Sequence, residues 1–120
     1  MTYEEIFSKT KEIVMQSDVS NIDGHLAVQI NIEGEGEGAF YIELKDRQVF
    51  VEPYEYHDRD CIFIITGDNF IRLVNGELDP VFAFTVGKLR IEGSIDKALE
   101  FKNIIDTIKV TEPKTKKKKA

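Results

Sequence analysis

Hydrophobic residues recur at two different spacings in the first half of the chain. Between Tyr3 and Val14 they return every three or four residues, which is typical of an amphipathic helix, and Thr2-x-x-Glu5 can form a capping box at its start. Residues 25–32 and 39–44 instead alternate between apolar and polar, as strands do. The glycines between these two runs predict a β-hairpin.

A third and a fourth strand follow from the same reasoning. Residues 45–47 predict a short turn into a strand at 48–52, and the apolar run at 61–65 predicts a strand that is covered on both faces. The polar side of the first two strands is expected to meet water. The residues expected on that side are His25, Gln29, Asn31, Tyr41 and Glu43.

The second half predicts three helices and one more strand. Asp68 and Asp79 are expected to cap two short apolar helices. Residues 88–92 alternate as a last strand, and a helix follows Ser94 whose apolar surface is wide enough to meet the sheet and a second element. Sequential hairpins with separate helices indicate an α+β fold, with helices on one face of a mainly antiparallel sheet.

The glycine-rich stretch Ile32–Phe40 raises a question about function, because glycine loops also bind phosphates. Here Glu33, Glu35 and Glu37 alternate with the glycines, and the carboxylates would repel an anion. A strand pattern follows the glycines, whereas a phosphate loop is followed by a helix. We therefore interpret the stretch as a turn.

Composition narrows the class of protein. A chain of 120 residues with 42% hydrophobic residues is long enough for one domain with a core. The start lacks the basic and apolar regions of a signal peptide, and the single cysteine, Cys61, fits a reducing compartment, so we expect a cytoplasmic location. We predict one domain over residues 1–110 and a disordered, lysine-rich tail over 111–120.

The charge distribution argues against nucleic acid as a partner. The net charge is −6, and removing the five lysines of the last seven residues leaves −11 for the remainder. Binding to phosphates needs a basic surface, which such an acidic body lacks. Two interpretations of the lysine tail stay open: it aids transient contact with anionic membranes, or it only keeps the chain in solution.

Candidate groups for catalysis or metal binding are few. His57 and Cys61 flank the densest polar cluster, but Cys61 opens an apolar strand and cysteine there usually behaves as a small hydrophobic residue. The chain has no Cys-x-x-Cys and no spacing typical of zinc or calcium sites. We therefore predict no catalytic residue, no metal and no cofactor, and we interpret the cluster as a solvated loop.

Apolar residues are in surplus in the second half, where they crowd the two short helices and the final helix. Spacing alone favours a well-filled core. The alternative is an apolar pocket between helices and sheet, the usual form of a small-molecule site.

Residues 66–80 and 83–94 closely resemble the sterol carrier protein 2 domain family. That family has a short leucine-rich helix, a Gly-x-x-Asp/Asn-Pro turn, the segment Ala-Phe-x-x-Gly-Lys-Leu-x-Ile-x-Gly and a final apolar helix. The hairpin at 36–44 is similar as well, and the resemblance covers roughly residues 20–108. It implies a five-stranded sheet with helices on one face, enclosing an apolar tunnel for fatty acyl chains, acyl-CoA or sterols.

The resemblance implies that the function is lipid binding or transfer. It also implies that the partner is a long-chain lipid or fatty acyl ligand. The C-terminus is not a peroxisomal address, which favours a bacterial cytoplasmic member. The alternatives are a non-catalytic accessory or protein-interaction domain with a filled cavity and, more weakly, an enzyme that uses His57 or Cys61. We expect most of the cavity wall to consist of Phe70, Leu73, Val74, Phe82, Phe84, Leu99 and Ile104.

Overall fold

The computed structural model describes the backbone of residues 1–111 and the side chains of residues 1–108. These residues form four helices and five strands, which follow one another in the predicted order. In chain order these are α1 (Tyr3–Val14), β1 (Leu26–Glu33), β2 (Gly38–Lys45), β3 (Gln48–Glu52), β4 (Cys61–Thr66), α2 (Gly67–Val74), α3 (Pro80–Thr85), β5 (Arg90–Gly93) and α4 (Ile95–Thr111). Thr111 belongs to α4, and the rest of the predicted lysine-rich tail lies outside the described residues.

The five strands form one sheet in the order β3-β2-β1-β4-β5. Three of the four neighbouring pairs are antiparallel, and β1 and β4 run parallel, with Ile30 opposite Phe63. The predicted α+β fold with a mainly antiparallel, five-stranded sheet is confirmed. The parallel pair arises because the chain leaves the edge strand β3 and crosses two strands before it pairs again.

The hydrophobic core lies between the helices and one face of the sheet. Alternate residues of the central strands are buried there, as the period-two geometry of a strand requires. α1 contacts α2, α4 and β3, while α4 lies against β1, β4 and β5. The wide apolar surface of α4 is thereby explained, because it meets the sheet on one side and α1 on another.

Local signals set the helix ends. The Thr2 hydroxyl accepts a hydrogen bond from Glu5 N at 3.1 Å, and the Glu5 carboxylate accepts one from Thr2 N at 2.8 Å, so the predicted capping box is present. Asp79 caps α3 as predicted. The prediction that Asp68 caps α2 is wrong, because α2 begins two residues earlier and Thr66 accepts the hydrogen bond from Asn69 N.

Both hairpins are present where the sequence predicts them. Asp46 and Arg47 have φ values of 55° and 60°, the backbone of a type I′ turn, and they join β2 to β3. The glycine-rich stretch joins β1 to β2. A Cβ on Gly36 would lie 2.6 Å from the carbonyl oxygen of Met1 and 2.7 Å from Ile6 Cδ1, so glycine also lets the start of α1 pack against this turn.

The expectation that the polar side of the sheet meets water is wrong for Gln29, which is 3% exposed. The connection between β3 and β4 folds over this side. Tyr56 N donates to Gln29 Oε1 at 3.1 Å, and the Tyr56 hydroxyl donates to Glu43 Oε2 at 2.9 Å, a bond that raises the pKa of Tyr56 to about 12. His25 stays exposed and pairs with Glu43.

The prediction that β4 is covered on both faces is correct for one face only. Cys61, Phe63 and Ile65 are buried against the helices, whereas Ile62 and Ile64 on the other face are only half-buried. A helix layer covers one face of the strand alone. Within residues 1–111, no helix combines the length and the hydrophobicity that crossing a bilayer would require.

Candidate functional site

Large apolar side chains are exposed on α3, in the residue after it, and in the first turns of α4. Each is about half exposed, with values from 47% to 53%. They are Val81, Phe82, Phe84, Val86, Ile95 and Leu99. A concentration of this kind is unusual for a small domain and marks a binding surface more often than chance.

Four of these side chains border a groove between α3, α4 and the sheet edge, which we call the apolar groove and which has a volume of about 120 Å³. The groove is lined by residues of β4, α3, β5 and α4, and by Leu89, which directly precedes β5. The lining residues are Phe63, Pro80, Val81, Phe84, Leu89, Ile91, Ile95, Ala98, Leu99 and Lys102. The groove opens to the surface, in contrast to the enclosed tunnel that the resemblance implies.

The depth of the apolar groove is limited by two aromatic rings. Phe63 on β4 and Phe101 on α4 pack edge to face with 5.3 Å between their centroids, and Phe101 is buried. Phe63 lines the groove, so this contact packs β4 against α4 at the floor of the groove. α3 leaves the groove open above because it has only six residues and buries only Ala83.

The seven predicted wall residues fall into three groups. Phe84 and Leu99 line the apolar groove. Phe82 is half exposed beside it without lining it. The remaining four are buried in the hydrophobic core, and they are Phe70, Leu73, Val74 and Ile104.

The burial of α2 has a clear physical origin. Its apolar side meets α1 and β4, and the Phe70 ring packs on Phe40 with 5.9 Å between the centroids. Among residues 1–108, nothing covers the outer side of α3, where Val81, Phe82 and Phe84 are about half exposed. Two short helices of similar hydrophobicity therefore end in different environments.

Sequence reasoning missed the sheet side of the groove and its charged residue. Phe63, Leu89 and Ile91 line it from the sheet, and Lys102 is the charged residue among the lining residues. The alternation of residues 88–92 was a usable signal for Leu89 and Ile91, since it placed both on one face. Nothing in the local sequence distinguishes Lys102 from the other lysines of α4.

The polar cluster near β4 has a structural role. Asp60 Oδ2 accepts a hydrogen bond from Ala27 N at 2.8 Å and so holds the loop against β1. Burial raises the pKa of the Cys61 thiol to about 11, so that the thiol is protonated at neutral pH and lacks the thiolate of a nucleophile. In the described part of the chain, no three His, Cys, Asp or Glu side chains are grouped so that they could hold a metal ion.

Comparison with known proteins identifies the family. The model of the SCP-2 sterol transfer family matches residues 4–106, which is most of the chain. The chain belongs to this family. The match includes the hairpin, both short helices and the first part of α4 up to residue 106, so every residue that lines the apolar groove lies within the matched region.

Individual relatives of the SCP-2 domain differ in length. Hydroxysteroid dehydrogenase-like protein 2 of Mus musculus is 32% identical over 78 residues, which are 64% of this chain and 16% of that protein. Sterol carrier protein 2 of Arabidopsis thaliana is 32% identical over 80 residues, or 63% of this chain and 65% of the relative. The chain thus spans about a sixth of the length of the dehydrogenase-like relative.

A solved structure agrees with the fold. Palmitated SCP2L2 from Aedes aegypti superposes with a TM-score of 0.65, covering 88% of this chain and 95% of that one at 20% identity. An identity this low shows a shared fold, and the five-stranded SCP-2 architecture described above is that fold.

Proposed function

We propose that this protein is a carrier that binds lipids with long acyl chains in the apolar groove. The observation that carries the proposal is the groove itself, whose walls on α3 and α4 are apolar yet half exposed. Membership in the SCP-2 sterol transfer family supports it, and so does the palmitated state of the Aedes aegypti relative.

The energetic basis is the hydrophobic effect. Val81, Phe84, Ile95 and Leu99 keep about half of their surface in contact with water. An acyl chain that lies between α3 and α4 removes this surface from water together with its own, at roughly 25 cal/mol for each Å² of apolar area. The gain requires no specific polar contact, so modest selectivity among chains is expected.

The size of the apolar groove limits how the chain binds. Its volume of about 120 Å³ is below the roughly 300–1,000 Å³ of typical ligand sites. We propose that α3, which buries only Ala83, moves outward when a long chain enters. Contact of the lipid with Phe70, Leu73, Val74 and Ile104 stays a prediction, and it requires the helices to separate further from the sheet.

Titration calorimetry with a series of fatty acids from octanoate to palmitate tests the proposal. Affinity is expected to rise with chain length, by up to roughly 0.8 kcal/mol for each added methylene, until the groove is full. A response that does not depend on chain length would contradict binding along a groove.

The substitution Leu99→Asp is expected to weaken fatty acid binding by more than about tenfold, because a bound acyl chain would have to desolvate a carboxylate in the apolar wall. Leu99 is half exposed, so folding should persist. Phe50→Asp is the matched control: Phe50 is also partly exposed, but it lies on β3 and does not line the groove. Equal losses in the two variants would show that the effect is not local to the groove.

A second candidate function is favoured by the small volume of the groove. The protein would then be a non-catalytic accessory or protein-interaction domain. Its interior would be filled by the hydrophobic core, which includes the Phe63–Phe101 pair, and the exposed apolar residues of α3 would contact another protein. The fatty acid titration separates the two, since an accessory domain should bind none of the series.

The remaining predictions about ligand and location stay proposals. Acyl-CoA and sterols share the apolar character that the groove would accept. Transfer would need transient contact with a membrane, for which the exposed apolar residues of α3 beside the groove are the natural contact surface. A cytoplasmic location and a bacterial source are expectations from the sequence.

A further inference from the structure

Lys102 stands out among the residues that line the apolar groove, because every other lining residue is apolar. It lies on α4, one turn after Ala98 and Leu99, which also line the groove. Its side chain is 30% exposed and that of its partner Asp106 is 43% exposed. The aliphatic stem therefore borders the groove while the ammonium reaches its solvent-exposed rim, as long basic side chains commonly do.

The ammonium is available to a second partner. Lys102 Nζ donates to Asp106 Oδ2 at 3.0 Å, and an ammonium has three N–H donors, so two remain after this bond. The hydrogen bond to Asp106 and the nearby charge of Asp79 raise the pKa of Lys102, which keeps the group protonated. The carboxylates thus hold the cation charged without using all of its donors.

We infer that Lys102 anchors the carboxylate of a fatty acid at the rim of the apolar groove and so makes the protein prefer free fatty acids over neutral lipids of the same chain length. This inference rests on the proposed function and adds the head group to it. An ammonium and a carboxylate form a charge-assisted hydrogen bond, which is stronger than a bond between neutral groups. With its carboxylate at Lys102, the acyl chain runs into the groove between Phe84 and Leu99.

Lys97 is the matched control for Lys102. It precedes Lys102 on the same helix, lies within 3.6 Å of its own acidic partner Glu100, and is exposed to a similar degree. Unlike Lys102, it does not line the groove. The same substitution at the two positions therefore separates an anchor from a general effect of positive charge.

The test measures binding of laurate and of 1-dodecanol to the full chain by calorimetry. Lys102→Met keeps an apolar side chain of similar length and removes the charge. It is expected to weaken laurate binding about tenfold and to change 1-dodecanol binding by less than about twofold. Lys102→Arg should retain most of the laurate affinity, and Lys97→Met should leave both ligands unaffected.

Three results would overturn the inference while the proposed function stands. The first is binding of both ligands by the parent protein with no effect of Lys102→Met, and the second is an equal loss for both ligands, which would assign Lys102 a packing role. An equal loss of laurate binding in Lys97→Met would also overturn it. Failure of the parent protein to bind either ligand would remove the proposed function and the inference together.

Discussion

Replacing Phe70 with alanine is expected to lower the free energy of unfolding by about 3–5 kcal/mol. Phe70 is fully buried, and its ring packs edge to face on Phe40. The substitution leaves a cavity between α2 and the sheet that close-packed neighbours cannot refill. Urea denaturation followed by circular dichroism measures the change.

The matched control is the same substitution in the next helix. Phe82 on α3 is 53% exposed, so Phe82→Ala should change the free energy of unfolding by at most about 1 kcal/mol. Sequence reasoning placed both phenylalanines in one cavity wall, and the pair of variants tests whether they share an environment. Similar losses at the two positions would mean that α3 is packed as tightly as α2.

Gly93→Ala is expected to destabilise the protein by about 3 kcal/mol or more, through two costs that add. Gly93 has a φ of +98°, and holding a residue with a Cβ in a strained backbone region of this kind costs about 1–3 kcal/mol. A Cβ there would also lie 2.7 Å from the carbonyl oxygen of Asp60 and 3.0 Å from Cys61 Cα, which are backbone atoms of the neighbouring strand and its approach. Thermal unfolding of the variant measures the sum.

Gly87→Ala separates the two costs. Gly87 has a similar φ of +83°, but a Cβ there would meet no atom within 4 Å. The Gly87→Ala variant should therefore lose only the stability that the strained backbone conformation costs, about 1–2 kcal/mol. If the two variants unfold at the same temperature, close packing of β5 against β4 does not explain the need for glycine at position 93.

The ends of helices and the turns between strands were predictable where they depend on residues that are close together in the sequence. The capping box at Thr2 and the turn at residues 45–47 depend on residues a few positions apart, and both are found as expected. The cap of α2 was missed because Thr66 and Asp68 are both good capping residues. The choice between them depends on where β4 ends, which is set by pairing with β1.

The candidate site was less predictable, and Phe70 and Phe82 show why. Each lies in a short apolar helix, and neither spacing nor composition tells which helix is covered. α2 is covered because α1 packs across it, a contact between segments about 60 residues apart. Gln29 is a parallel case, since the loop that buries it arrives from residues 53–60.

The order of elements, the hairpins, the core strands and an apolar surplus in the second half are properties of the sequence itself, because period and capping chemistry act within a few residues. Only the tertiary structure decided which apolar residues remain exposed. It also decided that Lys102 lies beside them. Whether a residue is buried depends on which other segments pack against it, and those segments come from distant parts of the chain. The apolar groove exists because α3 is too short to cover the side chains that α4 and the sheet turn toward it.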